Sequence, residues 1–263
     1  MSTVRVRDIA NVIEAFAPKT LQEPYDNAGL QVGNPDMPVS AVLLCLDVTP
    51  DILEEAKRRQ CNLIISHHPL LFAGLKQIIG ATPTEAIVID ALVNNIAIYA
   101  AHTNLDSAIE GVSYEIAHSL DMKDIHVLEP KSDNPEYGLG VIGSIKPTPT
   151  LEFLRKVKEL FNVSPLRYSS MSPQIVIRKV AVCGGSGASL IGNAMRAGAD
   201  VFLTGDLKYH DYTSYGHSIL LADIGHYESE LGSRKIFSRI IREAYPECVI
   251  YFAETESNPI AHM

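Results

Sequence analysis

The chain of 263 residues contains no tryptophan, 7% aromatic residues and four cysteines, and no two of the cysteines form a CxxC pair. Their spacing does not match the disulfide framework of a small secreted domain, so we expect reduced thiols. The N-terminal residues contain no apolar region of the kind that a signal peptide has. Together these absences predict a cytoplasmic protein.

Long hydrophobic runs and an excess of positive charge are also missing. Apolar stretches such as 41–46 are far shorter than the roughly 18 residues of a membrane span, so we expect no membrane association. The 22 basic and 31 acidic residues give a net charge of −9, which argues against a nucleic-acid partner unless basic residues line a groove or channel. With 46% hydrophobic and 20% charged residues, the composition is that of a globular protein.

Short apolar runs alternate with helical patterns along most of the chain. In the N-terminal part, runs at 41–46, 62–66 and 96–100 are separated by helical stretches, the first of which has Thr49 as N-cap and Pro50 as its first residue. In the C-terminal part, we predict strands at 179–183, 200–204, 219–222 and 249–253 and helices at 186–198 and 228–244. Strands separated by helices indicate βαβ units, so we predict an α/β fold with mostly parallel or mixed sheets.

The middle of the chain differs, because 123–149 contains four prolines and one predicted strand at 138–145. We interpret this stretch as a seam between two lobes, 1–124 and 125–263, with a C-terminal segment able to pack back on the first lobe. The strands that begin near 42 and 180 are each followed at the same distance by another strand. This similarity predicts two related three-layer lobes, although any two βαβ units share such a rhythm.

The strongest local motif is the histidine pair in Ser66-His67-His68-Pro69, which directly follows a predicted buried strand. Sites of open α/β sheets lie at the carboxyl ends of the strands. Adjacent histidines point in different directions, so one metal ion suits both poorly and two neighbouring ions suit them well. The alternative is a pair of surface or core histidines that bind no ligand.

Two further clusters also follow predicted strands. His102 and Asp106 come after the run at 96–100, and His226 and Glu230 come after the strand at 219–222. His226 and Glu230 share one helical face and are able to bind one ion together, whereas Glu228 points elsewhere and serves as an internal comparison. Helix capping or a solvated helix surface is the alternative for each carboxylate taken alone.

Together the motifs supply three imidazoles and two carboxylates, with His102 in reserve, and no thiolate. One closed tetrahedral zinc site would need only four ligands, so the set fits two divalent ions such as Zn, Fe, Mn or Ni. Two such ions generate a hydroxide at neutral pH and polarise a phosphoryl or carbonyl oxygen.

Two other features are weaker. Cys183-Gly-Gly-Ser-Gly187 lacks the third glycine of a dinucleotide motif and the lysine of a P-loop, so a tight strand-to-helix turn is favoured over a phosphate cradle. Asp206, Lys208 and His210 follow the strand at 200–204 and are candidates for lining the pocket or transferring protons. Helix capping is the alternative for Asp206.

Five motifs in this order resemble one known family, which comprises proteins with a dinuclear metal centre that assemble as hexamers. Its members are described as type 2 GTP cyclohydrolase homologues or NGG-interacting-factor-like proteins. The motifs are Tyr25-Asp-Asn-Ala-Gly-Leu-Gln-Val-Gly33, Ser66-His-His-Pro69, His102-Thr-Asn-Leu-Asp106, Gly205-Asp206 and Ile224-Gly-His-Tyr-Glu-Ser-Glu230. Tyr25 replaces a tryptophan that is common in the family, and the central segment is too short for the domain that longer members insert there.

The resemblance implies a toroidal homohexamer, with the metal site of each chain between its two lobes. By matching motifs, it places the metal ligands at His67, His68, Asp106, His226 and Glu230. It implies a hydrolase that opens the purine ring of GTP, or acts on a related nucleotide or small molecule, by attack of metal-bound hydroxide. His102 and His210 are the expected proton carriers. The alternative is a non-catalytic metal-binding ring that presents a surface to a protein partner.

Overall fold

Helices and strands alternate along the computed structural model, which describes residues 3–170, 175–261 and 263. Short 3-10 turns occur at Lys19–Leu21 and Ala188–Leu190. The elements in chain order are α1 (Val6–Phe16), β1 (Gly29–Val32), β2 (Val42–Cys45), α2 (Pro50–Arg58), β3 (Leu63–Ser66), α3 (Pro83–Val93), β4 (Ala97–Ala100), α4 (Thr103–Asp106), α5 (Val112–Ser119), β5 (Lys123–Pro130), β6 (Gly138–Pro149), α6 (Thr150–Leu160), β7 (Arg167–Tyr168), β8 (Val176–Val182), α7 (Ile191–Arg196), β9 (Val201–Thr204), α8 (Tyr209–Tyr215), β10 (Leu220–Asp223), α9 (His226–Glu230), α10 (Ser233–Ala244) and β11 (Ile250–Phe252).

The first of two compact units contains the chain up to Leu105 together with Ser233–Ser257. Its sheet has the order β1-β4-β3-β2-β11, in which β1 is antiparallel and the other strands are parallel. Every residue of β2, β3 and β4 is buried, which explains why these strands are continuous apolar runs in the sequence. Helices α2 and α3 cover one face of the sheet, and α10 packs against β2.

The second unit contains Asp106–Gly232 and the last residues from Asn258 onward. Its sheet has the order β5-β6-β8-β9-β10-β7, with β8, β9 and β10 parallel and the remaining pairs antiparallel. Alternate residues of these strands enter two hydrophobic clusters, one with α5 and α6 and the other with α7. Helices on both faces of a mixed sheet confirm the predicted α/β class.

The two units share a topology. In the first, β2, β3 and β4 are consecutive parallel strands, and the antiparallel β1 pairs with β4. In the second, β8, β9 and β10 are consecutive parallel strands, and the antiparallel β7 pairs with β10. This correspondence supports the predicted relation between the lobes.

The structure corrects the predicted seam and boundary. Residues 123–149 do not connect two domains, because β5 and β6 form an antiparallel hairpin inside the second unit. Three of the prolines are tolerated there because Pro130 ends β5, Pro149 ends β6, and Pro147 lies where the register of β6 shifts, between Ser144 and Thr148. The boundary lies between Leu105 and Asp106 rather than at 124, so Asp106 belongs to the second unit. Residues 233–257 belong to the first unit because β11 pairs with β2.

The helix predicted at 228–244 is also corrected, since two helices, α9 and α10, occupy this region. The break contains Gly232, where an added Cβ would lie 2.8 Å from Cγ of Glu115. A larger residue at this point would therefore have to displace the side chain of Glu115 on α5. All four cysteines are free thiols, as predicted. Among the described residues, no helix combines the length and apolar character that crossing a bilayer requires.

Candidate metal centre

Three histidines of the first unit converge at the carboxyl ends of β3 and β4. His67 and His68 follow β3, and His102 follows β4, so the parallel strands deliver all three to one edge of the sheet. Their ring centroids lie 5.2 to 5.4 Å apart, and one nitrogen of each ring lies within 4.8 Å of the others. His102, which the sequence placed in reserve, is therefore part of this set.

The hydrogen bonds of His67 and His68 determine which ring nitrogen carries the proton. Nδ1 of His67 lies 2.9 Å from the carbonyl oxygen of Ala101. Because a carbonyl oxygen only accepts, the proton lies on Nδ1 and Nε2 carries the lone pair that a metal ligand needs. Nδ1 of His68 makes the same kind of bond, at 2.9 Å, to Oδ1 of Asp47.

His102 is oriented by Asp26. Nδ1 of His102 lies 2.8 Å from Oδ1 of Asp26, whose Oδ2 accepts hydrogen bonds from the backbone N–H of Thr103, at 2.9 Å, and from its hydroxyl. Burial alone would raise the pKa of Asp26, but the hydrogen bonds from His102 and Thr103 outweigh it and hold that pKa far below its ordinary value. Asp26 is therefore a carboxylate that fixes the ring of His102.

In the second unit, His226, Glu230 and Asp106 come together. Nε2 of His226 lies 3.0 Å from Oε2 of Glu230, one turn away on the same face of α9, as predicted. A carboxylate oxygen of Asp106 lies within 4.8 Å of one of Glu230. The unit thus gathers one imidazole and two carboxylates, and Glu230 is almost completely buried.

The ring of His226 has acceptors at both nitrogens. Nδ1 lies 2.7 Å from Oδ2 of Asp206, and Nε2 faces Glu230. The hydrogen bond to Glu230, the charge of that carboxylate and the contact with Asp206 outweigh burial and raise the pKa of His226 to about 9. Asp206, a weak candidate in the sequence, therefore orients His226 as Asp47 and Asp26 orient His68 and His102.

The glycine turn after β8 makes room for Glu230. Gly185 has φ of +61°, and a Cβ there would overlap Oε1 of Glu230 and lie 3.5 Å from Cε1 of His226. Its N–H donates to Oγ of Ser229 at 2.9 Å, and the N–H of Gly187 donates to Oγ1 of Thr204 at 2.8 Å. These donors bind protein oxygens, so the geometry favours the tight turn over the phosphate cradle.

Other sequence candidates lie apart from these sets. Oε1 of Glu228 accepts a hydrogen bond from Nδ2 of Asn258 at 2.7 Å, which agrees with its use as a comparison for Glu230. Lys208 and His210 are exposed, and the ring of His210 lies 5.4 Å from that of Tyr209. Among the residues described by the structure, neither belongs to a group able to hold a metal ion.

The donor chemistry fits borderline divalent ions. The two sets offer imidazole nitrogens and carboxylate oxygens, and all four imidazoles have an acceptor at Nδ1, the arrangement that outer-shell partners give to metal-binding histidines. Burial, with the nearby charges of Asp106 and Glu230, raises the pKa of Cys183 far above its ordinary value, so this cysteine remains a protonated thiol. Nitrogen and oxygen donors without thiolate match Zn, Fe, Mn or Ni.

Comparison with known proteins supports the resemblance found in the sequence. The model of the family described as Duf34/NIF3 (NGG1p interacting factor 3) matches residues 4–259. A protein of Clostridium acetobutylicum named GTP cyclohydrolase 1 type 2 homolog is 35% identical, over 92% of this chain and 91% of that protein. The protein of the same name from Clostridium perfringens is 37% identical, over 86% of this chain and 87% of that protein.

Solved structures agree in fold over the whole chain. The Staphylococcus aureus hypothetical protein SA1388 has a TM-score of 0.91 and 25% identity, with 100% of both chains covered. A Bacillus cereus protein related to NIF3 has a TM-score of 0.90 and 24% identity, again with 100% of both chains covered.

Proposed function

This chain belongs to the Duf34/NIF3 family, and from that premise we propose that it is a hydrolase with two divalent metal ions that acts on a nucleotide or a related small molecule. The observation that carries the proposal is the convergence of His67, His68 and His102, each with an acceptor at Nδ1. GTP is the first substrate to test because the curated relatives are named for GTP cyclohydrolase 1 type 2. Hydrolysis of nucleotide phosphoesters is the second.

We propose that His67, His68, Asp106, His226 and Glu230 together bind the two ions, of Zn, Fe, Mn or Ni. The repeat supports this assignment, because the His102–Asp106 and His226–Glu230 motifs follow equivalent strands, β4 and β10, of the two units. The chain also passes from the first unit to the second at Asp106, one helical turn after His102.

A pair of bound divalent ions would lower the pKa of water and polarise an oxygen of the substrate. Neighbouring groups would hold two of the ligand histidines in the tautomer that carries its proton on Nδ1. The Ala101 carbonyl does so for His67, and Asp47 does so for His68. His102 has a further role in this proposal, because Asp26 holds its Nδ1 proton and its Nε2 is then able to take up or deliver a proton. His210, the second proton carrier expected from the sequence, is exposed and less constrained.

A homohexamer is part of the proposal, and the alternative to an enzyme is a ring that binds metal without catalysis. Ile79, Leu92 and Val93 of the first unit are exposed apolar side chains, at 68%, 51% and 75%, which contacts between subunits would cover in the proposed hexamer. The same residues would serve a scaffold. Assembly alone therefore does not distinguish the two functions.

Substitution of Glu230 separates the enzyme from the scaffold. We expect Glu230→Gln to lower the turnover of GTP, followed by chromatography of its products, by more than about 100-fold while assembly, followed by sedimentation, is unchanged. Glu228→Gln is the matched control, because Glu228 lies on the same helix and bonds to Asn258 instead. A wild type that is fully loaded with metal but hydrolyses neither GTP nor other nucleotides would favour the scaffold.

A further inference from the structure

Two aromatic side chains of the first unit are exposed beside the histidine set. Tyr25 and Phe72 are 63% and 52% exposed, and their ring centroids lie 6.2 Å apart. The ring of Phe72 also lies 6.3 Å from that of His102, at an interplanar angle of 68°. Phe72 is thus in contact both with an aromatic neighbour and with a member of the histidine set.

The protein holds the loop of Tyr25 in place. Asp26, the next residue, binds His102 and Thr103, and the N–H of Glu23 donates to Oγ1 of Thr103 at 2.8 Å. The same carboxylate that orients His102 therefore also fixes the backbone next to Tyr25. A displacement of this loop would therefore disturb the positions of both Tyr25 and His102.

The loop of Phe72 is fastened to the same region. Nδ2 of Asn27 donates to the carbonyl oxygen of Leu71 at 2.6 Å, and the N–H of Leu71 donates to Oε1 of Gln31 at 2.8 Å. Leu70 and Leu71 pack against the hydrophobic cluster of the first unit. The two exposed rings therefore project from anchored backbone, which reduces the entropy that a ligand would lose on binding between or over them.

Exposed aromatic rings next to polar groups able to bind a metal are typical of ligand sites, where the rings supply contact area and the polar groups supply orientation. The protein has few aromatic residues, 7% in total with no tryptophan, and it places two exposed ones here. A planar ring offers such side chains a large face at low entropic cost, and stacking tolerates many heterocycles because each has a π-face.

We propose that Phe72 and Tyr25 stack the planar heteroaromatic ring of the substrate and so place it beside His102. The proposal rests on the proposed function and narrows it: the site selects substrates that carry a base-like ring over phosphoesters without one. Phe72 is the principal stacking residue because its ring contacts that of His102, and Tyr25 is its aromatic neighbour. Both are binding residues and neither exchanges a proton in this proposal.

The absence of tryptophan allows a direct binding assay. Tyr25→Trp keeps an aromatic ring at the site and introduces the only tryptophan of the chain. We would titrate this variant, loaded with Zn, with guanosine, adenosine and cytidine 5′-monophosphates and with ribose 5-phosphate, and follow its fluorescence. We expect quenching by the three nucleotides and at least ten-fold weaker binding of ribose 5-phosphate.

Removal of the stacking ring completes the test. In the Tyr25→Trp background, Phe72→Ala should weaken nucleotide binding about ten-fold and leave the affinity for ribose 5-phosphate unchanged. The reason is that an aromatic side chain stacks on the base and not on the sugar phosphate. Tyr209→Ala is the matched control, since Tyr209 is 76% exposed, belongs to the second unit, and has its ring 5.4 Å from that of His210, which is not a member of the histidine set. It should change neither affinity.

Three results would overturn the inference: equal binding of nucleotides and ribose 5-phosphate, equal losses for both on Phe72→Ala, or a change in sedimentation of Phe72→Ala with nucleotide binding intact. The last would make the aromatic pair an interface between copies of the chain. Metal content, measured on the same samples, keeps the two proposals apart. A protein that holds its ions but shows no preference for a base contradicts the stacking residues only, whereas one that holds no ions contradicts the proposed hydrolase.

Discussion

The two units of the chain use one topology to present different donors. After the third parallel strand of each, β4 or β10, a histidine is followed four residues later by a carboxylate in a short helix: His102 with Asp106, and His226 with Glu230. The first unit surrounds His102 with two further imidazoles, each with its own acceptor. In the second unit, His226 lies against a buried carboxylate and has a raised pKa.

This difference shows that the edge of each sheet determines where the side chains lie, whereas the residues of the loops determine which donor groups are present. The loop after β3 carries the histidine pair, whereas the equivalent loop after β9 carries Asp206, which orients a histidine. Nitrogen donors are concentrated in the first unit and oxygen donors in the second. Borderline divalent ions accept such a mixture.

The largest expected effect concerns the set of the second unit, because its Glu230 packs against the glycine turn after β8. Gly185→Ala would force a left-handed backbone on alanine and push its Cβ into Oε1 of Glu230. We expect loss of roughly 3 kcal/mol or more of unfolding free energy, from strain of about 1–2 kcal/mol and steric overlap with a buried side chain. Metal binding at the second unit should fail as well.

Gly198→Ala is the matched control for that variant. Gly198 also has a positive φ, +75°, but nothing lies within 4 Å of an added Cβ. The Gly198→Ala variant should lose only about 1–2 kcal/mol of unfolding free energy and should still bind its metal. Denaturant unfolding and metal analysis of the two proteins check this, and equal behaviour would show that contact with Glu230 is unimportant.

The next effect concerns the acceptors that orient the histidines of the first unit. Asp47→Asn removes the carboxylate that holds the Nδ1 proton of His68, a proposed ligand, and loss of such outer-shell partners typically weakens metal affinity about 10–100-fold. Competition with a chelating dye measures the affinity. Asp36→Asn is the control, because Asp36 pairs with Arg5 and Arg7 at the surface and should have no effect. Unchanged affinity in both variants would show that the contact between Asp47 and His68 is unimportant for metal binding.

The smallest effect tests how the first unit incorporates its distant C-terminal segment. Burial disfavours ionisation of Glu55, but hydrogen bonds from Thr255, Glu254 and Arg59 more than offset it and lower the pKa of Glu55 below its ordinary value of 4.5. We expect Glu55→Gln to cost about 1–2 kcal/mol at pH 7 through the loss of charge-assisted hydrogen bonds.

The pH dependence of that effect has a definite sign. Because folding lowers the pKa of Glu55, the contribution of its carboxylate to stability is complete above pH 4.5. This contribution disappears as the pH falls through the pKa that Glu55 has in the folded protein. The stability difference between the wild type and Glu55→Gln should therefore shrink in acid. Urea unfolding at neutral and acid pH measures it, and a constant difference would contradict the assigned role.

The sequence predicted the strands better than the connections between them. β2, β3 and β4 are continuous apolar runs because both faces are buried, and Thr49 caps α2 by accepting the N–H of Ile52 at 3.3 Å. The hairpin of β5 and β6 was missed because prolines at strand ends and register shifts have the same sequence pattern as a linker. The break between α9 and α10 contains Gly232, which lies beside the side chain of Glu115 on α5, a neighbour that no local pattern reports.

For the candidate site, sequence identified the histidines and carboxylates and missed what orients them. Asp47 directly follows a buried strand and lies beside His68, a position that could have suggested it. Asp26 belongs to a loop far along the chain from His102, and only the folded backbone brings the two together. The position of His102 at the same sheet edge as His67 and His68 was predicted from the sequence, and the pairing of β3 with β4 brings the three rings together.

The central claim is that these side chains bind two divalent ions, and elemental analysis of the purified protein tests it most directly. We predict about two ions per chain in the wild type, a sharp fall in His68→Ala, and no change in His118→Ala, whose histidine is exposed and pairs with Glu110. Less than about half an ion per chain in all three proteins, after reconstitution with excess Zn, Mn and Fe, would contradict the claim.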